Sequence, residues 1–126
     1  MALLDPADHP DRALVWNEYF DRRRREEIRN LLSDDLIAEH EANPLGYRKF
    51  HSPALQRVLN YFRGQPILGK YFVYAKEPWR EYRIAAVTQR GQPPEILDEP
   101  VFASEEEAMH GVFLKRCEEL RASHDR

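Results

Sequence analysis

The sequence predicts an α+β fold: a long N-terminal helix and two further main helices packed with a small antiparallel sheet built on one β-hairpin. Three observations carry this expectation. Apolar residues recur at helical spacing in two separate stretches, serines stand where helix caps belong, and between the two stretches lie two aromatic and β-branched runs split by a turn. With 126 residues, one domain is expected over 1–126. Within it, 1–10 reads as an extended N-terminal segment, 11–64 as the helical part, 70–103 as the β-hairpin and a loop, and 104–122 as the C-terminal helix.

Asp11 or a neighbour can cap the first helix, whose early turns place Trp16, Tyr19 and Phe20 at i, i+3 and i+4 on one face. The stripe stops at Asp21–Glu27, an arginine-rich stretch, and resumes at Ile28, Leu31 and Leu32. Glu18/Arg22 and Asp21/Arg25 stand in the favourable i,i+4 order, so the stretch reads most simply as a solvated helix face. Ser33 and two aspartates start a short helix through Leu36, Ile37 and His40. Asn43-Pro44 closes it, because the residue before proline resists the helical region. Ser52 as N-cap and Pro53 at the first helical position open the next helix, with Leu55, Val58, Leu59 and Phe62 on one face and Gly64 and Pro66 at its end.

Tyr71–Ala75 and Tyr82–Val87 read as the hairpin strands, joined by a loop of five or six residues around Lys76–Arg80. Large residues alternate on both faces of the first strand, which implies that both are covered. The segment from Gln89 to Pro100 holds one glycine and three prolines and reads as a loop, with Val101–Ala103 as a short third strand. Ser104 and Glu107 form a capping box for the last helix, followed by Met109, Val112, Phe113, Cys117 and Leu120. Gly111 interrupts that helix, at about 1 kcal/mol relative to alanine, which suggests close approach of another chain.

No apolar run approaches the eighteen or so residues of a membrane span. Asp5, Pro6, Asp8 and Pro10 stand where a secretory signal would be basic and apolar, and a single cysteine cannot form an internal disulfide. A reducing, cytoplasmic setting is therefore expected. The net charge, 19 minus 22 or −3, argues against a general nucleic-acid binder. Its distribution is uneven, since no acidic residue lies between Glu41 and Glu77 while Arg48, Lys49, Arg57, Arg63, Lys70 and Lys76 do.

Candidate chemistry is sparse. Cys117 lies in an apolar stripe and reads as core. Glu107 and His110 have the i,i+3 spacing of a carboxylate-bridged metal motif, but in one copy where two are needed. The five histidines show no clustered ligand spacing, Ser52 beside His51 is better explained as a cap, and the glycines form no phosphate loop. What stands out is the basic middle, where Tyr47, Phe50, Tyr61, Phe62, Tyr71, Phe72 and Tyr74 are interleaved with the positive charges. Such a block suits single-stranded nucleic acid or a protein interface. Overall acidity favours the interface, and a stand-alone nucleic-acid-binding or protein-interaction module using block 47–76 is the alternative. An independent enzyme using His51 or His110 has least support.

Asn43-Pro44-Leu45-Gly46-Tyr47-Arg48-Lys49, Ser52-Pro53 with Leu55-Gln56-Arg57-Val58, Asn60-Tyr61-Phe62-Arg63, Gly69-Lys70-Tyr71, Tyr82-Arg83-Ile84-Ala85 and Ser104 through His110 together resemble the small (light, alpha) subunit family of N,N-dimethylformamidase. The likeness runs in order from about Arg12 to Leu120. It implies a non-catalytic accessory subunit in a hetero-oligomer, α2β2 or a multiple of it, with no nucleic acid and no membrane as partner. In that family the large subunit holds a mononuclear iron, bound by two tyrosines and a glutamate, and hydrolyses N,N-dimethylformamide to dimethylamine and formate. No catalytic, cofactor-binding or metal residue carries over to this chain. Expected at the subunit interface are Trp16, Tyr19, Arg23, Tyr47, Arg48, Arg57, Tyr61, Arg63 and Trp79.

Overall fold

Residues 8–122 are described by the computed structural model, with the backbone alone for 8–15 and 17. Helix α1 spans Asp8–Leu31, α2 Asp34–Ala42 and α3 Pro53–Arg63, strands β1, β2 and β3 span Tyr71–Glu77, Glu81–Ala86 and Glu95–Phe102, and α4 spans Glu105–Ala122. Because α1 begins at Asp8, the last three residues of the segment expected to be extended are helical, and Pro10 is tolerated in the first turn where amides lack partners anyway. Residues 1–7 lie outside the described residues, as does the Asp11 side chain that was expected as a possible cap.

Three serines set the starts of the later helices. The hydroxyl oxygens of Ser33, Ser52 and Ser104 accept from the amides of Leu36, Leu55 and Glu107 at 3.1, 3.2 and 3.2 Å. Each bond satisfies one of the four orphan donors of a helix N-terminus. Ser52 does a second job, since its hydroxyl and amide donate to Glu39 at 2.7 Å each and so tie α3 to α2. Burial opposes charge on Glu39, but the Ser52 amide and hydroxyl outweigh it and hold the carboxyl below its ordinary range.

All four helices feed one core. Ile28 of α1, Leu36 of α2, Leu55, Val58, Tyr61 and Phe62 of α3, and Phe113, Cys117 and Leu120 of α4 form a contiguous buried cluster. Burial there pushes the Cys117 thiol up to about 12, as suits a core residue rather than a nucleophile. Helix α4 is the shared wall, touching all three strands as well as α1 and α2, so it buries residues on more than one face.

The strands form an antiparallel meander, β1-β2-β3. Strand β3 is a correction to the sequence reading, which took residues up to Pro100 as loop. Between the pairs Arg83↔Val101 and Ala85↔Ile96, the one residue Ile84 faces residues 97–100, so the strand pairs at both ends and bows out in the middle. An edge position and an irregular register let the chain keep Pro100, which cannot donate to a ladder. The Arg83 guanidinium fills the gap, donating to the Asp98 carbonyl at 2.9 Å. Gly111 is a second correction: its neighbour is internal, because a Cβ there would run into the Phe102 ring at the end of β3.

Candidate subunit interface

The sequence-predicted interface residues fall into separate groups, each with its own local construction. On α1, Trp16, Tyr19 and Phe20 are 58, 44 and 60% exposed. Their rings meet one another at centroid distances of 5.6 to 6.1 Å, with Trp16 and Phe20 stacked and Tyr19 edge-on to both. Arg23 extends the group, donating to the Tyr19 hydroxyl at 3.4 Å and lying 6.0 Å from that ring's centre. The arginine stretch below it is partly used within the chain: Arg25 pairs with Asp21, and Arg24 lies over the Tyr61 ring.

The loop between α2 and α3 is built around buried Asn43. Its side-chain amide donates to the Lys49 carbonyl at 2.8 Å, its side-chain oxygen accepts from the Arg48 amide at 3.2 Å, and its carbonyl accepts from His51 Nε2 at 2.8 Å. Arg48 fastens the loop at both ends, donating to the Ala42 carbonyl at 2.9 Å and to Glu106 of α4 at 3.1 Å. Gly46, at φ 75°, makes the turn that a side chain would strain. This closed loop holds Tyr47 82% and Phe50 98% exposed. Burying a phenyl ring against a partner is worth about 1.5–3 kcal/mol, so the chain leaves that much unspent at Phe50.

Trp79 is displayed by backbone geometry. Strand β1 runs on to Glu77, so the hairpin loop is only Pro78–Arg80, shorter than the five or six residues expected. The Arg80 amide closes it on the Glu77 carbonyl at 3.0 Å, with Pro78 second in the turn and Trp79 third at φ 72°. That third position is the left-handed one for which glycine or asparagine is usual. The Trp79 amide donates to the Tyr82 hydroxyl at 3.2 Å, and its indole is 89% exposed. A bulky residue in this conformation costs of order 1–3 kcal/mol, and such strain clusters at functional positions.

Tyr61 is the exception among the expected residues. At 4% exposure it belongs to the core, because its position on α3 turns the ring under α1. Arg57 is exposed and paired with Glu27 of α1 at 3.2 Å, whereas Arg63 is exposed with no hydrogen bond or ion pair of its side chain among the described residues. Sequence reasoning did not single out Phe20, Ile67 or Leu68 for the interface and named Phe50 only within the aromatic block, yet all four are at least 60% exposed. Phe50 carried a signal, since it lies in a loop between two helix boundary marks and not in any periodic stripe.

The three histidines whose side chains are described, His40, His51 and His110, all have partners within the fold. His40 Nδ1 and His110 Nδ1 lie 2.8 Å apart, with His40 stacked on Phe113 at 4.0 Å. Glu41, 3.5 Å from His110 Nε2, favours a proton on that nitrogen, which leaves His110 Nδ1 to accept from His40. Burial, then the charges of His110 and His51, push His40 down to about 3, and burial lowers His110 against the pull of Glu41. His51 and Ser52 face different partners, the Asn43 carbonyl and Glu39, so they form no dyad. Among the described residues no His, Cys, Asp and Glu group of three or more is disposed to hold a metal, and no helix is long and apolar enough to cross a membrane.

A family model described as N,N-dimethylformamidase alpha subunit matches residues 15–126. The N,N-dimethylformamidase alpha subunit of Paracoccus aminophilus is 54% identical over 119 residues, covering 93% of this chain and 84% of the relative. That of an Alcaligenes species is 50% identical over 120 residues, covering 94% and 90%. Matches of this extent take in the Asn43 loop, the capped helices and the Trp79 turn together, and the chain belongs to the N,N-dimethylformamidase alpha subunit family.

Proposed function

We propose that this chain is the non-catalytic small subunit of an iron-dependent amidohydrolase that converts N,N-dimethylformamide to dimethylamine and formate. Its task is to bind and stabilise a large catalytic subunit in a cytoplasmic hetero-oligomer, α2β2 or a multiple, with the iron held by the large chain. The observation that carries the reading is the display of Phe50 and Trp79 at 98 and 89% exposure on tightly bonded turns. Rigid exposed aromatics serve as interface anchors, for little ordering entropy is lost when they dock. Kinship with proteins named as alpha subunits supports the same reading, since a subunit has a partner.

The test is purification of the tagged chain from its source cells in mild salt, with identification of co-purifying polypeptides and metal analysis. A stoichiometric large polypeptide carrying iron, with amide hydrolysis in the complex and none in this chain alone, is the expected result. Recovery of the chain with nucleic acid, released steeply by salt, or hydrolysis by the chain alone would overturn it.

A further inference from the structure

An open hollow of about 560 Å³ lies between the Asn43 loop, α3 and α4. Arg63, Lys70 and Arg116 line it, with Phe50 and His51 beside them, and no carboxylate does. Two neighbouring hollows differ in this respect: one carries Glu119, the other Glu41, Glu106 and Glu107. The three cations are under-used. Lys70 Nζ donates to the Arg63 carbonyl at 2.9 Å, Arg116 donates to the Tyr71 carbonyl at 2.6 Å, and neither pairs with an acid among the described residues. Among the described residues, buried Arg116 Nε has no hydrogen-bond partner and the Arg63 side chain has none.

We propose that this hollow receives an acidic side chain of the large subunit, an inference that rests on the accessory-subunit reading above. Three positive charges gathered in a hollow that holds no carboxylate repel one another, and Glu119, on the neighbouring hollow that Lys70 and Arg116 also line, offsets Arg116 only from that side. The effect is visible at Lys70, whose pKa is lowered by burial and then by Arg116 and Arg63. An incoming carboxylate removes that repulsion and accepts charge-assisted hydrogen bonds from Arg63 and Lys70. Phe50 decides between a protein carboxylate and a free oxyanion, because a small ion would neutralise the cations and leave the rest of the hollow and the 98% exposed ring on it uncovered. A docked protein surface covers both.

Carbodiimide coupling of the assembled complex, followed by peptide mass spectrometry, is expected to join Lys70 to an Asp or Glu of the large subunit. Lys70→Arg should abolish that cross-link and keep assembly. Lys70→Glu and Arg63→Glu, each checked for native circular dichroism, should weaken assembly about tenfold or more. Intact assembly in both charge reversals overturns the proposal. So does binding of inorganic phosphate by the assembled complex that is kept in Lys70→Arg and lost in Lys70→Met, which would assign the hollow to a free oxyanion. If the wild-type chain fails to assemble with the large subunit at all, the accessory-subunit reading itself has failed.

Discussion

Tyr61 and Phe62 on α3 and Tyr19 and Phe20 on α1 are the same pair of residue types, each in a helix, with opposite fates. The α3 pair is 4% exposed and packs against α4 and beneath an arginine of α1, while the α1 pair is 44 and 60% exposed and has ring and hydrogen-bond contacts with one another, Trp16 and Arg23. What separates them is neither propensity nor composition but the presence of a second element across the face. Helix α1 meets α3 and α4 through its C-terminal half, where Ile28 enters the core, and its described aromatic turns meet no other element's rings. Apolar surface of the second kind is stabilised only when another molecule supplies the missing wall.

The contrast is sharpest if each region is damaged in turn. Tyr61→Ala should cost the free chain about 3–5 kcal/mol of unfolding free energy, as for other buried aromatics, read by urea denaturation. An unchanged midpoint with lost assembly would return Tyr61 to the interface. Trp79→Gly should have the opposite signature, weakening assembly roughly thirtyfold, or about 2 kcal/mol. It should also leave the free chain as stable as before or slightly more so, because glycine adopts φ 72° without strain. A variant that assembled normally would remove the hairpin turn from the interface.

Acid should act on the packed region alone. An unfolded histidine takes a proton near 6.5, whereas folded His40 stays neutral down to about 3, so in between the unfolded chain binds more protons. Stability therefore rises with pH and is lost as pH falls below 6.5, and Glu39, held down by Ser52, adds loss in the same direction at lower pH. Between pH 7 and 5.5 the His40 contribution is about 1 kcal/mol, measurable as a drop in Tm that is absent near pH 8. A flat profile would mean that the His40–His110 contact opens to solvent.

Local chemistry was legible in the sequence and long-range pairing was not. The serine caps, Pro53 and the charged first turn of α4 act within four residues, so reading them required no knowledge of the fold. The end of strand β3 at Val101 and Phe102 was legible, but its part from 95 to 100 was hidden because its proline and glycine neighbours mimic a loop and its pairing with β2 skips residues 97–100, a register that no period-2 pattern encodes. The His40–His110 contact joins residues 70 positions apart, so spacing rules for ligand pairs had nothing to detect. Gly111 was correctly read as a close approach, but the partner is Phe102 of the same chain. As for the anchors, aromatic identity marked Trp16, Tyr19, Tyr47 and Trp79, whereas the burial of Tyr61 depends on which side of α3 meets α1.

The bonds that Asn43 makes across its loop bear on kinetics as well as shape. A loop that must order on contact forms its complex through a slow search and pays for the search in each encounter. Here the side chain and carbonyl of Asn43 already hold Arg48, Lys49 and His51 before any partner arrives. Encounter can therefore proceed as the meeting of two rigid bodies. Removing the Asn43 amide would loosen that rigid body and slow association, through a side chain buried inside the loop.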